Sequence, residues 1–225
     1  YEIPREEQDS YAAESQRRAA AAEAGGRFAA ERMALTIRDR KGNATEFATD
    51  EHVRADADLA AMQKLPPVFS KQGTVTAGNA SGITDGAAAM VLMTDERLAE
   101  TGATSLGRIV DYEIAGVDPA RMGIGPVPAT RRLLERRGLT MDQFDVVELN
   151  EAFAAQVLAC DRDLGFDRER LNPNGGSIAL GHPIGCTGAR IVTTLVHELA
   201  RRDGRYGLAT LCISGGMGIS LLVER

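Results

Sequence analysis

The sequence predicts an α/β fold in which helices cover a mostly buried sheet. From Ser105 onward, strand-like segments alternate with segments of helical periodicity, an order typical of such sheets. The strand candidates are mainly short apolar runs bounded by turn residues, as in strands that are buried on both faces. The last two candidates are separated only by the glycine-rich stretch SGGMG, which predicts a tight turn between neighbouring strands.

Length, charge and cysteine content narrow the class of protein. A chain of 225 residues can bury a substantial core, as one large domain or two small ones. A net charge of −6 argues against nucleic acid as the main partner, although a local patch could still bind a small anion. Three cysteines without a CxxC pair, and no secretory leader, predict reduced thiols in the cytoplasm. No apolar run approaches the ~18 residues of a membrane span.

The part of the chain before Ser105 is less regular than the rest. Pro4 suits the first position of an alanine-rich helix, and Gly25 suits its end. Because the sequence opens at Tyr1 directly before this helix, we expect a further segment to precede it. The predicted elements here are a helix at 4–24, a strand candidate at 33–37 among polar loops, and a buried strand at 87–93.

Strands and helices then alternate to the end of the chain. The predicted strands are 106–114, 146–149, 208–213 and 219–223; the predicted helices are 127–137, 151–164 and one ending near 202; a glycine-rich loop spans 172–188. In α/β sheets the chemistry lies at the carboxyl ends of strands. Three unusual segments fall near such ends: NEAFA after Leu149, GHP in the glycine-rich loop, and CISGGMG between the last two strands.

Each of these segments contains one candidate residue with two possible roles. Asn150 at a strand-to-helix junction either caps the helix or fixes a water molecule or a carbonyl oxygen. His182 lies between Gly and Pro, off any amphipathic stripe, and is either structural or catalytic. The loop around it lacks the Lys-Ser/Thr of a phosphate-binding loop. Cys212 is either a small buried hydrophobe or a thiol exposed by the glycine turn that follows it.

The remaining cysteines and histidines are assigned structural or surface roles rather than catalytic ones. Cys160 and Cys186 are interpreted as structural, and His52 and His197 as surface residues. The spacing of these side chains predicts no metal site. The sequence also contains no GxSxG nucleophile elbow.

Five segments, in order, resemble the thiolase family: GTVTAGNASGITDGAAA, MGIGPVPA, NEAFAAQ, NPNGGSIALGHPIGCTGAR and LCISGGMG. The resemblance covers almost the whole chain, and the loop stretch TDEHVRADADLAAM most resembles bacterial β-ketothiolases. It implies a layered α-β-α-β-α fold made of two similar halves. By this resemblance, residues 1–86 are the end of a loop domain and its return, 87–104 the last strand of the first half and a linker, and 105–225 the whole second half.

The resemblance also implies an acyl transfer between coenzyme A thioesters. Thiolases carry a nucleophilic cysteine in a CGSG-like turn of the first half, and no such turn occurs in this chain. His182 would activate that cysteine and, with a water held by Asn150, bind the thioester oxygen. Cys212 would act as acid and base at C2 of acetyl-CoA, and the backbone N–H of Ser214 would complete a second oxyanion site. We therefore expect the isolated chain to be inactive.

Further expectations follow from the same resemblance. Coenzyme A thioesters are the substrates, with no additional cofactor and no metal, and the setting is cytoplasmic fatty acid metabolism. A homo-oligomer, dimer or tetramer, is implied, without nucleic acid or membrane as a partner. The implied coenzyme A contacts are Arg54 and Ser81, and the implied walls of the acyl and pantetheine channel are Phe69, Ala77, Met122 and Phe153.

Two other functions remain open. A ketoacyl synthase of the same fold would place a second histidine where this chain has Asn150, so Asn150 together with Cys212 disfavours it. A non-catalytic acyl-CoA-binding protein derived from a thiolase half is supported only by the lack of the nucleophile turn. The presence of Asn150, His182 and Cys212 argues against that reading.

Overall fold

A mixed four-stranded sheet forms the centre of the protein, in a computed structural model that describes all 225 residues. The strand order is β3-β6-β5-β4, in which β4 and β5 run parallel and the other neighbours are antiparallel. The strands are β3 (Arg108–Gly116), β4 (Val146–Leu149), β5 (Tyr206–Ile213) and β6 (Met217–Glu224). The parallel pair needs a long crossover, and three helices between β4 and β5 supply it.

Helices cover both faces of this sheet. Val147, Leu149 and Leu208 point to one face, where they pack with side chains of α4 (Pro126–Arg137) and α5 (Ala154–Leu164). Val146 and Ala209 point to the other face and pack on the apolar stripe of α7 (Thr187–Arg202). Successive residues of a strand face opposite sides of the sheet, so the buried runs of β4 and β5 contribute to both cores.

The carboxyl ends of β4 and β5 lie at the same edge of the sheet. Asn150, directly after β4, donates its backbone N–H to the carbonyl of Thr210 on β5 at 3.0 Å. The outer side of β4 is covered by the segment at 170–172, which hydrogen-bonds to both backbone groups of Val147. The short helix α6 (Ser177–Leu180) and the start of α7 then pass this edge.

The chain before residue 108 packs around this end of the sheet. Helix α1 (Arg5–Ala24) contacts α5, α6 and the short helix α2 (Leu59–Met62). Its buried face carries alanines and the polar residues Gln8, Asp9, Ser15 and Gln16 rather than large apolar side chains. An exposed hairpin of β1 (Leu35–Arg38) and β2 (Ala44–Phe47) and the exposed helix α3 (Asp95–Thr101) complete the chain. None of the helices is both long and apolar enough to cross a membrane.

The predicted helices and the last four strands are confirmed, with shifts of a few residues at several ends. Helix α5 begins at Ala154 rather than 151, and Pro4 lies just outside α1 as its N-cap. The loop at 172–188 contains α6, which was not predicted, and β2 was missed because its residues are polar and exposed.

The prediction of a buried strand at 87–93 is wrong. These residues form no regular structure, and Met90, Val91, Leu92 and Met93 are exposed. A strand requires a neighbour that accepts its backbone hydrogen bonds, and the segment lies beside no strand of the four-stranded sheet. Alanine and methionine also have little intrinsic preference for strands.

Candidate active site

Asn150 is not a helix cap, because α5 begins four residues later with Phe153 at its N-cap position. Its side chain is 1 % exposed and turns back toward the glycine-rich loop. There the Oδ1 atom accepts a hydrogen bond from Ser177 Oγ at 2.5 Å, and Nδ2 lies 3.4 Å from Nε2 of His182. The structure therefore brings together two of the sequence-predicted site residues.

His182 is held at the sheet edge by its backbone and by the glycine before it. Gly181 has φ +90°, and a Cβ atom at this position would lie 2.5 Å from Oγ1 of Thr84. This close approach allows the backbone N–H of His182 to donate to the carbonyl of Gly82 at 2.8 Å. The segment at 82–84 thereby fixes the backbone of His182 near the end of β4.

The hydrogen bonds of His182 favour a proton on Nδ1. Thr187 donates its single hydroxyl hydrogen to the carbonyl of Pro183 at 2.9 Å, so its oxygen accepts from Nδ1 of His182 at 2.7 Å. Nε2 is then unprotonated and faces Asn150 Nδ2. Burial, and then the positive charge of Arg190, lower the pKa of the imidazole. A neutral ring with a free Nε2 lone pair is suited to accept a proton.

The carboxylate of Glu151 connects this site to α1. It is 1 % exposed and accepts hydrogen bonds from Tyr11 Oη at 2.8 Å, Ser15 Oγ at 2.7 Å, Asn172 Nδ2 at 3.1 Å and the backbone of Ile178 at 3.1 Å. Four donors and no facing acceptor are the pattern of an ionised carboxylate. Glu151 thus joins α1, the loop after α5 and α6 directly behind Asn150.

Cys212 lies near the carboxyl end of β5, two residues beyond the Thr210 carbonyl that binds the backbone of Asn150. It is 8 % exposed, and burial raises the pKa of its thiol to about 11. No hydrogen bond joins its sulfur to His182 or Asn150. The structure places the thiol on the neighbouring strand end, in its neutral form and without a hydrogen bond to the Asn150–His182 pair.

The turn after Cys212 presents backbone rather than side chains. Gly216 has φ +89°, and a Cβ atom at this position would lie 2.4 Å from the carbonyl oxygen of Val117. The backbone N–H of Val117 donates to the carbonyl oxygen of Gly216 at 2.7 Å. Ser214 is exposed in this turn, and its backbone N–H donates to no protein acceptor. That N–H is therefore available to a ligand, and its role in an oxyanion site stays a prediction.

The implied substrate contacts fall into two groups. Phe69 and Phe153 form an edge-to-face pair with ring centroids 5.9 Å apart, and Ser81 binds the carbonyl of Ala152 next to them at 3.0 Å. Ala77 is exposed, and Met122 is half-buried in the 3₁₀ turn that packs on α5. Arg54 is apart from these residues, with its backbone N–H bound to Gln16 and its guanidinium exposed and unpaired.

The structure agrees with some, but not all, of the predictions for the cysteines and histidines that were not assigned to the site. Cys160 is buried, and burial raises the pKa of its thiol to about 12. Cys186 is half-buried within the glycine-rich loop. The surface prediction for His52 is wrong, since its ring packs against Gly82 and its Nδ1 lies 2.9 Å from the carbonyl of Ala179. His197 is half-buried. No group of three or more His, Cys, Asp or Glu side chains is arranged to hold a metal ion.

Sequence reasoning missed Ser177, Thr187 and Arg190, which surround the Asn150–His182 pair. Ser177 and Thr187 are buried polar residues inside the glycine-rich loop, and Arg190 donates to Ser177 Oγ at 3.2 Å. Their position in the loop was the only signal in the sequence. Which polar residue meets which depends on the turn between α6 and α7, and spacing alone does not give it.

Two family profiles match the chain. The profile described as thiolase, N-terminal domain, matches residues 1–96, and the profile described as thiolase, C-terminal domain, matches residues 103–225. The chain belongs to the thiolase family. The five thiolase-like segments that the sequence showed all fall within these two matches, and the site described above draws on both.

Similar thiolases support this assignment. Acetyl-CoA acetyltransferase of Paracoccus denitrificans is 54 % identical over 225 residues, which are 100 % of this chain and 57 % of that protein. Beta-ketoadipyl-CoA thiolase of Acinetobacter baylyi is 51 % identical and aligns with 99 % of this chain and 56 % of its own length. This thiolase chain therefore spans little more than half the length of the curated relatives that it matches.

Solved thiolase structures share its fold. The crystal structure of Bacillus anthracis acetyl-CoA acetyltransferase matches with a TM-score of 0.97 at 50 % identity, over 100 % of this chain and 57 % of that one. Human mitochondrial 3-ketoacyl-CoA thiolase in complex with CoA matches with a TM-score of 0.90 at 44 % identity, over 99 % of this chain and 55 % of that one. The layered α/β fold predicted from the sequence is confirmed.

Proposed function

We propose that this chain supplies the base, the proton donor and much of the substrate site of a thiolase. The reaction is the reversible Claisen condensation of acetyl-CoA with an acyl-CoA, or the thiolytic cleavage of a 3-ketoacyl-CoA. One observation carries the proposal: Nε2 of His182 faces Asn150 Nδ2 at 3.4 Å, at a strand end beside the Cys212 strand. The names of the relatives agree with this chemistry.

The first half-reaction transfers an acyl group to a cysteine thiol. We assign this nucleophile to the portion of the relatives that the chain does not span. His182 Nε2 takes the thiol proton, because the lone pair is free and the ring is neutral. The thiolate attacks the thioester carbonyl, CoA leaves with a proton, and an acyl-cysteine remains. The oxyanion formed on the way is bound by protonated His182 and, through a water, by Asn150 Nδ2.

The second half-reaction requires proton transfer at C2 of acetyl-CoA. Cys212 takes this proton in synthesis and returns it in cleavage, while the Ser214 N–H binds the enolate oxygen. A thiol with a pKa of about 11 is protonated at neutral pH, which suits its role as the donor in cleavage. To act as a base it must first ionise, and its proton goes to the CoA thiolate that leaves in the first half-reaction.

The substrates are proposed to lie across the exposed side of this edge. Phe69, Phe153, Ala77 and Met122 form apolar walls for the pantetheine and acyl chain, and Ser81 contacts the pantetheine near Ala152. Arg54 offers an unpaired cation to a coenzyme A phosphate. We further propose a cytoplasmic homo-oligomer that acts in fatty acid metabolism without a bound cofactor.

A chimeric enzyme tests the function. In this chimera the chain replaces the matching 225 residues of the Paracoccus relative. We expect it to cleave acetoacetyl-CoA in the presence of CoA, and the isolated chain to show no turnover. A folded chimera that binds CoA without turnover would identify a non-catalytic binding protein and refute the enzymatic proposal.

A double-mutant cycle in the chimera tests whether Asn150 and His182 act as one unit. His182→Ala is expected to cost more than Asn150→Ala, because His182 also activates the nucleophile. Each loss of an oxyanion donor costs ~10²–10³-fold in rate. Since both groups serve one oxyanion, the double variant should be little worse than His182→Ala alone. Fully additive losses in kcat/KM would show that the two side chains work independently.

A further inference from the structure

Arg190 and Ser177 form a series of hydrogen-bonded side chains that ends at Asn150. Neither of these two residues takes part in the chemistry described above. Arg190 Nη2 donates to Ser177 Oγ at 3.2 Å, and Ser177 Oγ donates to Asn150 Oδ1 at 2.5 Å. Ser177 is 0 % exposed and Asn150 is 1 % exposed. The Arg190 side chain is 20 % exposed, whereas the contact between Ser177 and Asn150 is fully buried, so the hydrogen bonding of Ser177 and Asn150 is set by protein groups.

The order of donors and acceptors along the Arg190–Ser177–Asn150 series is fixed by Arg190. A guanidinium has only donors, so the Ser177 oxygen must accept from it. The single hydroxyl hydrogen of Ser177 is then free for Asn150, and it requires an acceptor there. Asn150 meets this requirement only with Oδ1 toward Ser177, which leaves the donor Nδ2 facing His182. A flipped amide would place its NH₂ against the serine hydrogen and its oxygen against the Nε2 lone pair.

We propose that Arg190 and Ser177 are positioning residues that keep Asn150 Nδ2 directed into the site. They thereby ensure that the site presents an N–H donor, and not a carbonyl oxygen, to His182 Nε2 and to the substrate oxygen. The proposal rests on the proposed function for its catalytic consequence, but the orientation itself is a property of the folded chain.

Arg190 is well suited to this task because its charge does not change with pH. It lies in the first turn of α7, with Nη1 3.9 Å from the carboxyl group of the buried Glu148 on β4, beyond hydrogen-bonding distance. Its Nη1 has no hydrogen-bond partner in the protein, and Glu148 Oε1 has none either. The hydrogen bond to Ser177 is therefore the one directional polar contact of this guanidinium.

The tautomer of His182 reports the orientation of Asn150 without any need for activity. The measurement is a long-range ¹⁵N–¹H correlation spectrum of the 225-residue chain labelled with ¹⁵N-histidine. With only three histidines, His52→Gln and His197→Gln assign the signals. In the parent chain we expect neutral His182 to be a single Nδ1–H form, although free imidazole side chains favour Nε2–H in water.

Two variants interrupt the Arg190–Ser177–Asn150 series at different residues. Ser177→Ala deletes only the hydroxyl, and Arg190→Met deletes the donor that orients it. In both we expect Asn150 to sample the flipped amide, whose oxygen accepts from Nε2–H while the Thr187 hydroxyl rotates to donate to Nδ1. The single Nδ1–H form then gives way to a mixture with the Nε2–H form. Arg190→Lys keeps a donor-only cation and should retain the parent pattern. Arg201→Met removes an arginine from the far end of α7 and should leave His182 unchanged.

The catalytic consequence is measured in the chimera. Ser177→Ala and Arg190→Met should lower kcat by up to ~10²-fold, the effect of losing one oxyanion donor, with KM nearly unchanged. Arg190→Lys should recover most of the loss. The proposal is overturned if folded Ser177→Ala and Arg190→Met chains both keep a single Nδ1–H tautomer. An inactive parent chimera would instead refute the proposed function and leave the tautomer result intact.

Discussion

Replacing Glu151 by glutamine should destabilise the protein by about 3 kcal/mol. The carboxylate accepts four hydrogen bonds, from Tyr11, Ser15, Asn172 and Ile178. A hydrogen bond to a charged group contributes about 1.5–3 kcal/mol, against about 0.5–1.5 for a neutral one. Each of the four bonds therefore loses about 1 kcal/mol when the acceptor becomes neutral. Rotation of the Tyr11 hydroxyl to accept from the new amide recovers part of this total.

The assay is urea unfolding of the chain followed by far-ultraviolet circular dichroism, with the free energy extrapolated to water. The matched control is Glu100→Gln on the exposed helix α3, where the carboxylate pairs only with the exposed Arg97. We expect no measurable change in that variant, because exposed ion pairs contribute little. A loss below about 1 kcal/mol for Glu151→Gln would refute the view that this carboxylate organises the site.

Three further predictions concern individual groups. Thr187→Val should lower kcat of the chimera while Thr187→Ser preserves it, because only a hydroxyl accepts from His182 Nδ1; equal losses would contradict this. Cys212→Ser should reduce condensation by ~10²–10⁴-fold while single-turnover acylation stays measurable. Burial raises the pKa of Glu148 to about 8, so its contribution to stability is complete below the unfolded pKa near 4.3 and falls as pH rises toward 8. Glu148→Gln should flatten that decline in urea unfolding between pH 5 and 8.

The order of elements could be predicted from the sequence, because burial on two faces leaves a clear pattern. The apolar run of β4 and the stripe of α7 both reflect the sheet that they share. The segment at 87–93 shows the same apolar pattern but forms no strand, since a run of apolar residues does not specify a partner. The exposed hairpin of β1 and β2 has no such pattern and could not be found this way.

The site was predicted only as far as single residues. Asn150, His182 and Cys212 stood out by their place at strand ends and in glycine-rich turns, and the first two are in contact. The role of Glu151 was not predicted, because three of its partners lie at positions 11, 15 and 172. Such contacts arise from tertiary packing and leave no local signature. The hydrogen-bonded series from Arg190 through Ser177 to Asn150 also arises from tertiary packing and could not be predicted.

The polar inner face of α1 affects how the chain folds. Tyr11 and Ser15 meet Glu151 across 140 and 136 positions of sequence, so the helix is made long before its partner during synthesis. Contacts of such separation form slowly, and a conventional helix would expose a large apolar stripe during the delay. The buried side of α1 consists instead of alanines and of Gln8, Asp9, Ser15 and Gln16. Until the second half of the chain has been synthesised, the nascent helix can therefore remain in water without exposing an apolar surface that would promote aggregation.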